Sequence, residues 1–309
     1  MPGGTSVARR PDATTGPSAY CVTVTCFDAD GALDDAANRD LFGRIADAGV
    51  GLYVGSASPG EGHALSAEET ARLYRTAVEA AAGRVPARAM GCEPRSAREL
   101  LELVRIATDV GVDAMQVYSL DLGHANHPSP AEQERYFRTV LEAMTIPAVV
   151  SSHVANGWVP SVELLGRLVD DYPHLVGLNV TNPDVGYVTR VVQMTSGRVE
   201  VHVGGPMQAL TILALGGHGF LCTEAAIAPR LVASVVQAHA AGDRAARDAA
   251  YADLMRLFAL NRFGASVRFT KAVLRMQGRP GHHFRAPYLP HDEATHAAIV
   301  EALDGWPLA

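Results

Sequence analysis

The sequence predicts an α/β fold, a (β/α)8 TIM barrel with a C-terminal helical extension. Three observations predict it. Short apolar runs recur eight times, amphipathic stretches with helix-start signals separate them, and after the eighth run the pattern turns wholly helical.

The eight runs are YCVTVTC (20–26), VGLYVG (50–55), VPARAMG (85–91), VDAMQVY (112–118), IPAVVSS (146–152), HLVGLNV (174–180), VEVHVGG (199–205) and HGFLCTE (218–224). They are apolar on both faces, as strands of a parallel sheet covered by helices must be. Between them, SAEE (66–69) and SARE (96–99) have the capping-box form, and Ser129-Pro130 followed by Glu132 adds proline at the first helical position. LFGRIADAGVG, TARLYRTAVEAAAGR and LLELVRIATDVGVD each carry one apolar stripe and end near a glycine, which suits helices returning the chain to the next strand. A doubly wound open sheet is the competing architecture. It lacks support, because no G-x-G-x-x-G follows a strand and no G-x-x-x-x-G-K-[ST] occurs.

Helical patterns then cover 226–240, 244–260 and 266–277, followed by the loop GRPGHHFRAPYLP and a last short helix from about 291. The resulting division is a flexible tail (1–18), a barrel core (19–225) and a last barrel helix with its extension (226–309).

Composition narrows the function classes. The 309 residues are 48% apolar and 19% charged, with a formal net charge of -7, which offers no general attraction for nucleic acid or an anionic membrane. Of 26 basic residues, a single one, Lys271, is lysine. Cys21, Cys26, Cys92 and Cys222 show no C-x-x-C spacing. With no apolar segment of membrane or signal length, the expectation is a cytoplasmic protein with reduced thiols.

The order of the motifs resembles the dihydrodipicolinate synthase and N-acetylneuraminate lyase family of (β/α)8 aldolases. VTVTCFDADGALD resembles that family's first strand and turn, and GEGHALSAEE the segment after its second strand. YPHLVGLNV resembles its strand-six segment, and LALGGHGFLCTEAAIAP its strand eight with a closing A-P. The resemblance implies a lyase that forms a Schiff base between a strand-six lysine and a small 2-oxo acid. Asn179 stands at that position here, and an amide cannot form an iminium. The family's proton-shuttling tyrosine would fall at Ser151, its carboxylate-binding arginine at Asn156, and its helper tyrosine at Asp121 or Leu122. The G-T-T-G-E of strand two is replaced by GSASPGE, built around Ser56 and Ser58 with Gly60 and Glu61 kept.

Function in a barrel sits in the loops after the strands. Candidates for catalysis are therefore His153, Glu93, Tyr118 and Ser151, and for substrate binding Ser56, Ser58, Glu61, Asn156, Asn179 and His202. Strand alternation places Leu175, Gly177 and Asn179 on one face, so Asn179 either donates to a substrate or is a satisfied core amide. His153 has a side chain that titrates near neutrality and suits general acid or base work. Glu93 either serves similarly or pairs with Arg95 or Arg98, and Tyr118 either donates its phenol or completes strand four. Glu61 alternatively fixes its own loop, and the parity of His202 leaves its direction open. Asp121, His124 and His127 form D-x-x-H-x-x-H, a spacing that permits a divalent metal as an alternative to a site without cofactor.

The expected function is a lyase or aldolase-like enzyme acting on a small 2-oxo acid or related carbonyl compound without a lysine Schiff base. A hydratase, isomerase or hydrolase on the same barrel and a non-catalytic ligand-binding homologue are the alternatives. The surplus helices, with the resemblance, lead to the expectation of a homo-oligomer, dimer or tetramer.

Overall fold

The structure, a computed structural model, describes residues 16–124, 126–154, 158–263 and 266–306. Eight parallel strands close into a barrel in sequence order: β1 (Ser18–Val22), β2 (Gly51–Val54), β3 (Ala87–Ala89), β4 (Ala114–Val117), β5 (Ala148–His153), β6 (Leu175–Thr181), β7 (Glu200–Gly204) and β8 (Gly219–Cys222). The helices α1 (Asp35–Asp47), α2 (Ala67–Ala81), α3 (Ala97–Val110), α4 (Pro130–Ala143), α5 (Val162–Asp171), α6 (Val185–Thr195), α7 (Ala209–Ala214) and α8 (Pro229–Ala240) follow the strands in turn. Beyond them α9 (Arg244–Ala259), α10 (Ser266–Met276) and α11 (Glu293–Ala302) form the extension.

The helix starts follow the local chemistry. Ser66 with Glu69 and Ser129 with Glu132 form complete capping boxes. The SARE segment forms half of one: Ser96 accepts from Glu99 N–H, while the Glu99 carboxylate accepts from Arg95 N–H instead of the cap residue. The first strand is shifted relative to the apolar run. β1 takes in Ser18 from the stretch expected as tail and stops at Val22, and the backbone of Cys26 is instead held by the Asn38 side chain of α1, which donates to its carbonyl and accepts from its N–H.

Two apolar layers result. The larger lies between strands and helices and includes Phe42, Ile45, Leu73, Leu100, Phe137, Leu168 and Val188. Inside the barrel, Tyr20, Tyr53, Met90, Tyr118 and Leu221 pack together. Toward the N-terminal ends of the strands, Arg88 and Glu200 form a buried ion pair at 2.8 Å, and the guanidinium lies 4.5 Å from the centre of the Tyr20 ring.

The extension is tied to the loops that follow β1 and β2. Lys271 of α10, fully buried, donates to Glu61 and to the carbonyl of His283, the latter at 2.7 Å. Arg285 donates to the carbonyls of Gly31 and Ala64 and holds Glu69 through two N–H groups at 2.9 and 2.7 Å. Among the described residues, no helix is long and apolar enough to cross a membrane.

Candidate active site

Alternation along the strands decides which side chains reach the barrel mouth. Ser151, Asn179 and His202 are neighbours across β5, β6 and β7, so they share the inner face. Gln116 and Tyr118 come up from β4, and His153 and Thr181 follow at the next inward positions of β5 and β6. A cavity of about 270 Å³ opens there, at the C-terminal ends of the strands. It is lined by Ser58, Pro59, Gln116, Tyr118, Ser151, His153, Asn179, Thr181, Thr223, Glu224, Phe258 and Asn261, among others. A wider hollow of about 620 Å³ lies near Arg256 and Trp306, away from the strand ends, and gathers no convergent strand residues.

Asn179 is 4% exposed; its Nδ2 donates to Gln116 Oε1 at 2.5 Å, and its buried Oδ1 has no hydrogen-bond partner among the described residues. Asn261 Oδ1, also buried, likewise has none among the described residues. His153 is driven below its ordinary pKa by burial and is therefore neutral near pH 7. Burial holds the Tyr118 phenol well above its usual range, so it stays protonated and can donate but does not ionise readily. Glu224 is buried and its carboxyl is raised by desolvation, against which nearby backbone N–H groups and the Cys222 thiol act.

Of the residues expected from sequence, Ser58, Tyr118, Ser151, His153 and Asn179 come together around this cavity. Others are placed elsewhere. Ser56 is buried in its loop, where its Oγ accepts from Gly60 N–H at 3.1 Å. Gly60 is required there, because a Cβ would lie 2.7 Å from the Ser56 carbonyl oxygen. Glu61 does not line the cavity; it pairs instead with Lys271 of α10, a partner that neither of its two expected roles included. His202 does face inward, but beneath the cavity: it is 1% exposed, hydrogen-bonded to Ser18 Oγ at 2.8 Å and edge-on to Tyr20. It is not among the residues that line the cavity.

Glu93 lies outside the cavity lining and makes no ion pair with Arg95 or Arg98 among the described residues; burial raises its carboxyl. Asn156 falls outside the described residues. Asp121, His124 and His127 are exposed, and Asp121 closes its own turn by accepting from Gly123 N–H. Among the described residues, no three or more His, Cys, Asp or Glu side chains gather in a metal-holding group.

The sequence profile of the Dihydrodipicolinate synthetase family matches residues 18–305, which spans the barrel and its extension. The chain belongs to the dihydrodipicolinate synthetase family. Within this family it is 31% identical over 283 residues to a 4-hydroxy-tetrahydrodipicolinate synthase of Nitrosospira multiformis, covering 91% of this chain and 92% of that one. It is 27% identical to the enzyme of that name from Maridesulfovibrio salexigens, covering 92% and 96%. Among solved structures, YagE, a prophage protein from E. coli K12 in complex with pyruvate, superposes with a TM-score of 0.86 at 26% identity, covering 96% of this chain and 100% of that one. A monomeric dihydrodipicolinate synthase variant gives 0.89 at 21% identity over 97% and 99%, a likeness of fold.

This family member also has mouth residues that the sequence reading passed over. Gln116 was legible in principle, since it shares strand parity with Tyr118 inside an apolar run. Asn261 and Phe258 come from the helical extension, where no local pattern marks them as facing the barrel.

Proposed function

We propose that the chain is a lyase-type enzyme acting on a small carbonyl compound, an oxo acid or a hydroxylated relative, without forming an imine on lysine. One observation carries this reading. Asn179 occupies the inner wall of β6 at the mouth, while the sole lysine, Lys271, is locked against Glu61 and does not line the cavity. An amide nitrogen is not nucleophilic toward a carbonyl, so Asn179 forms no imine, and in this reading the electron sink is the substrate's own carbonyl oxygen, stabilised by hydrogen bonds.

The chemistry that suits these groups is direct proton transfer. Neutral His153 takes the proton of a substrate hydroxyl β to the carbonyl, the C–C bond between that carbon and the one next to the carbonyl breaks, its electron pair forms the enolate, and N–H or O–H groups of Gln116, Ser151 and Tyr118 hold the charge on the enolate oxygen. The proton then returns to carbon or oxygen of the product. The unpartnered acceptors Asn179 Oδ1 and Asn261 Oδ1 favour a substrate that carries hydroxyl groups, since a buried acceptor left unfilled costs about 1–3 kcal/mol. The pyruvate bound to YagE supports the oxo-acid end of the range.

The test follows carbon-bound hydrogens next to the carbonyl by NMR in D2O, with a panel of 2-oxo acids and hydroxyketones. The reading expects exchange or cleavage that survives prior treatment with the same compound and borohydride. Inactivation by that treatment would indicate an imine, and saturable binding without exchange or turnover would identify a non-catalytic binding protein.

We also propose a homo-oligomer, dimer or tetramer, on the ground of the family membership and the helices α9 to α11 that a barrel alone does not require. Sedimentation velocity that shows monomer alone at micromolar concentration contradicts it.

A further inference from the structure

A second cavity, of about 450 Å³, lies on the far side of the Lys271–Glu61 pair, where the segment joining α10 to α11 crosses the loops after β1 and β2. Its wall carries Arg268, Lys271, Arg275, His282, His283, His291 and His296, and no Asp or Glu among the described residues. Two of the three cations are matched by carboxylates behind the wall and burial keeps His283, His291 and His296 toward the neutral form, so the charge that faces this hollow unmatched is the Arg268 guanidinium.

The acids nearby are already committed to other partners. Glu61 accepts from Lys271, and Glu293 accepts from Arg275 through both oxygens at 3.0 and 3.2 Å. Asp292 caps α11 by accepting from Thr295 N–H, and Asp28 closes its own turn on Asp30 and Ala32. Arg268 has no carboxylate partner among the described residues; its Nε donates to the Leu289 carbonyl at 3.0 Å. His291 Nε2 is buried and has no hydrogen-bond partner among the described residues. His282 engages the Arg279 carbonyl through Nδ1 at 2.8 Å, which makes Nδ1 the donor and leaves Nε2 for another contact.

We infer that this cavity binds the phosphate group of a small phosphorylated molecule. Arg268 offers the planar fork that matches a phosphate, and the ring nitrogens of His282 and His291 that are not engaged elsewhere face the same hollow as further hydrogen-bonding groups. The apolar side of the wall, with Phe284, Leu289 and Pro290, suits the carbon portion of such a ligand.

The site is linked to the barrel mouth. Lys271 lines the phosphate cavity and holds Glu61, which belongs to the same loop as Ser58 and Pro59 of the mouth. His63 of that loop packs on Tyr288 of the second cavity at 5.5 Å between ring centres. An occupied phosphate site therefore stiffens the loop that borders the proposed active site, independently of which carbonyl compound that site takes.

The test titrates the full-length protein with inorganic phosphate and with glycerol 3-phosphate by calorimetry, holding ionic strength constant with chloride. Histidine-selective NMR is recorded in parallel. Saturable binding is expected, with ring shifts at His282, His283, His291 and His296 but not at His153. Arg268→Gln is expected to weaken binding at least tenfold with thermal stability retained, and Arg268→Lys to recover part of it. Tighter binding of glycerol 3-phosphate than of phosphate assigns a role to the apolar wall; equal affinity confines recognition to the phosphate. Non-saturating behaviour equal to that of chloride, or unchanged binding in Arg268→Gln, overturns the inference.

Discussion

Asn179 of β6 donates to Gln116 of β4 at 2.5 Å, spanning the inner face of β5 and fixing the orientation of both amides. That bond accounts for an amide in an apolar run: it is held by one partner, while its Oδ1 has none among the described residues. Gln116→Leu should cost about 1–2 kcal/mol by stranding the Asn179 N–H. The double variant Gln116→Leu with Asn179→Leu should regain most of that loss, because both polar partners leave together, and should lose substrate binding. Urea unfolding of the two variants measures the difference; a double variant less stable than the sum of the singles contradicts this account.

The Lys271–Glu61 pair predicts a different pattern. Burial lowers the Lys271 ammonium and raises the Glu61 carboxyl, each opposed by their mutual attraction. Lys271→Met should therefore destabilise the fold by about 3–5 kcal/mol, since it leaves a buried carboxylate unpaired. Adding Glu61→Gln should restore at least half of that. Chemical denaturation of both variants checks the prediction, and equal stability of the two would show that the pair is not the tie between extension and barrel.

His202 predicts a pH effect. Its pKa lies well below the ordinary value because burial disfavours the charged ring, with Arg88 and His218 adding repulsion. The unfolded chain takes up this proton below about pH 6.5 while the folded chain does not, so stability falls as pH drops from there toward the folded pKa. His218 and His153, also lowered, act in the same direction. Glu224 and Glu93, with raised pKa values, have the opposite sign: they lose stability as pH rises from about 4.5. Melting temperatures of wild type and His202→Asn between pH 5 and 8 should converge at the acid end, where the histidine penalises the wild type. A gap between the two that does not depend on pH rules out this role.

His153 should govern turnover more than folding. Half-buried at the mouth, it should on replacement by Gln reduce the rate by about 10²–10⁴ with little change in melting temperature. Because its pKa is lowered, the acid limb of the wild-type rate profile should fall below pH 6.5. A variant with the wild-type rate removes His153 from the mechanism.

Much of the barrel was readable from local pattern. Each of the eight apolar runs contains or overlaps a strand, and the Ser66 and Ser129 signals start helices where capping chemistry requires. Side chains on strand parity were also readable, so Tyr118, Ser151, His153 and Asn179 meet at the mouth. Roles that depend on distant partners were not. Glu61 and Lys271 lie 210 residues apart in the chain, and only closure of the fold converts a loop carboxylate into an anchor for the extension. His202 has the right parity but the wrong height, a distinction that depends on where each strand begins relative to its neighbours.

The most direct test of the central claim is intact-mass and peptide analysis of the full-length protein after incubation with pyruvate and borohydride. Chemistry without an enzyme amine predicts unmodified Lys271 and unchanged turnover. A reduced pyruvate adduct on Lys271, formed in step with loss of activity, would contradict it.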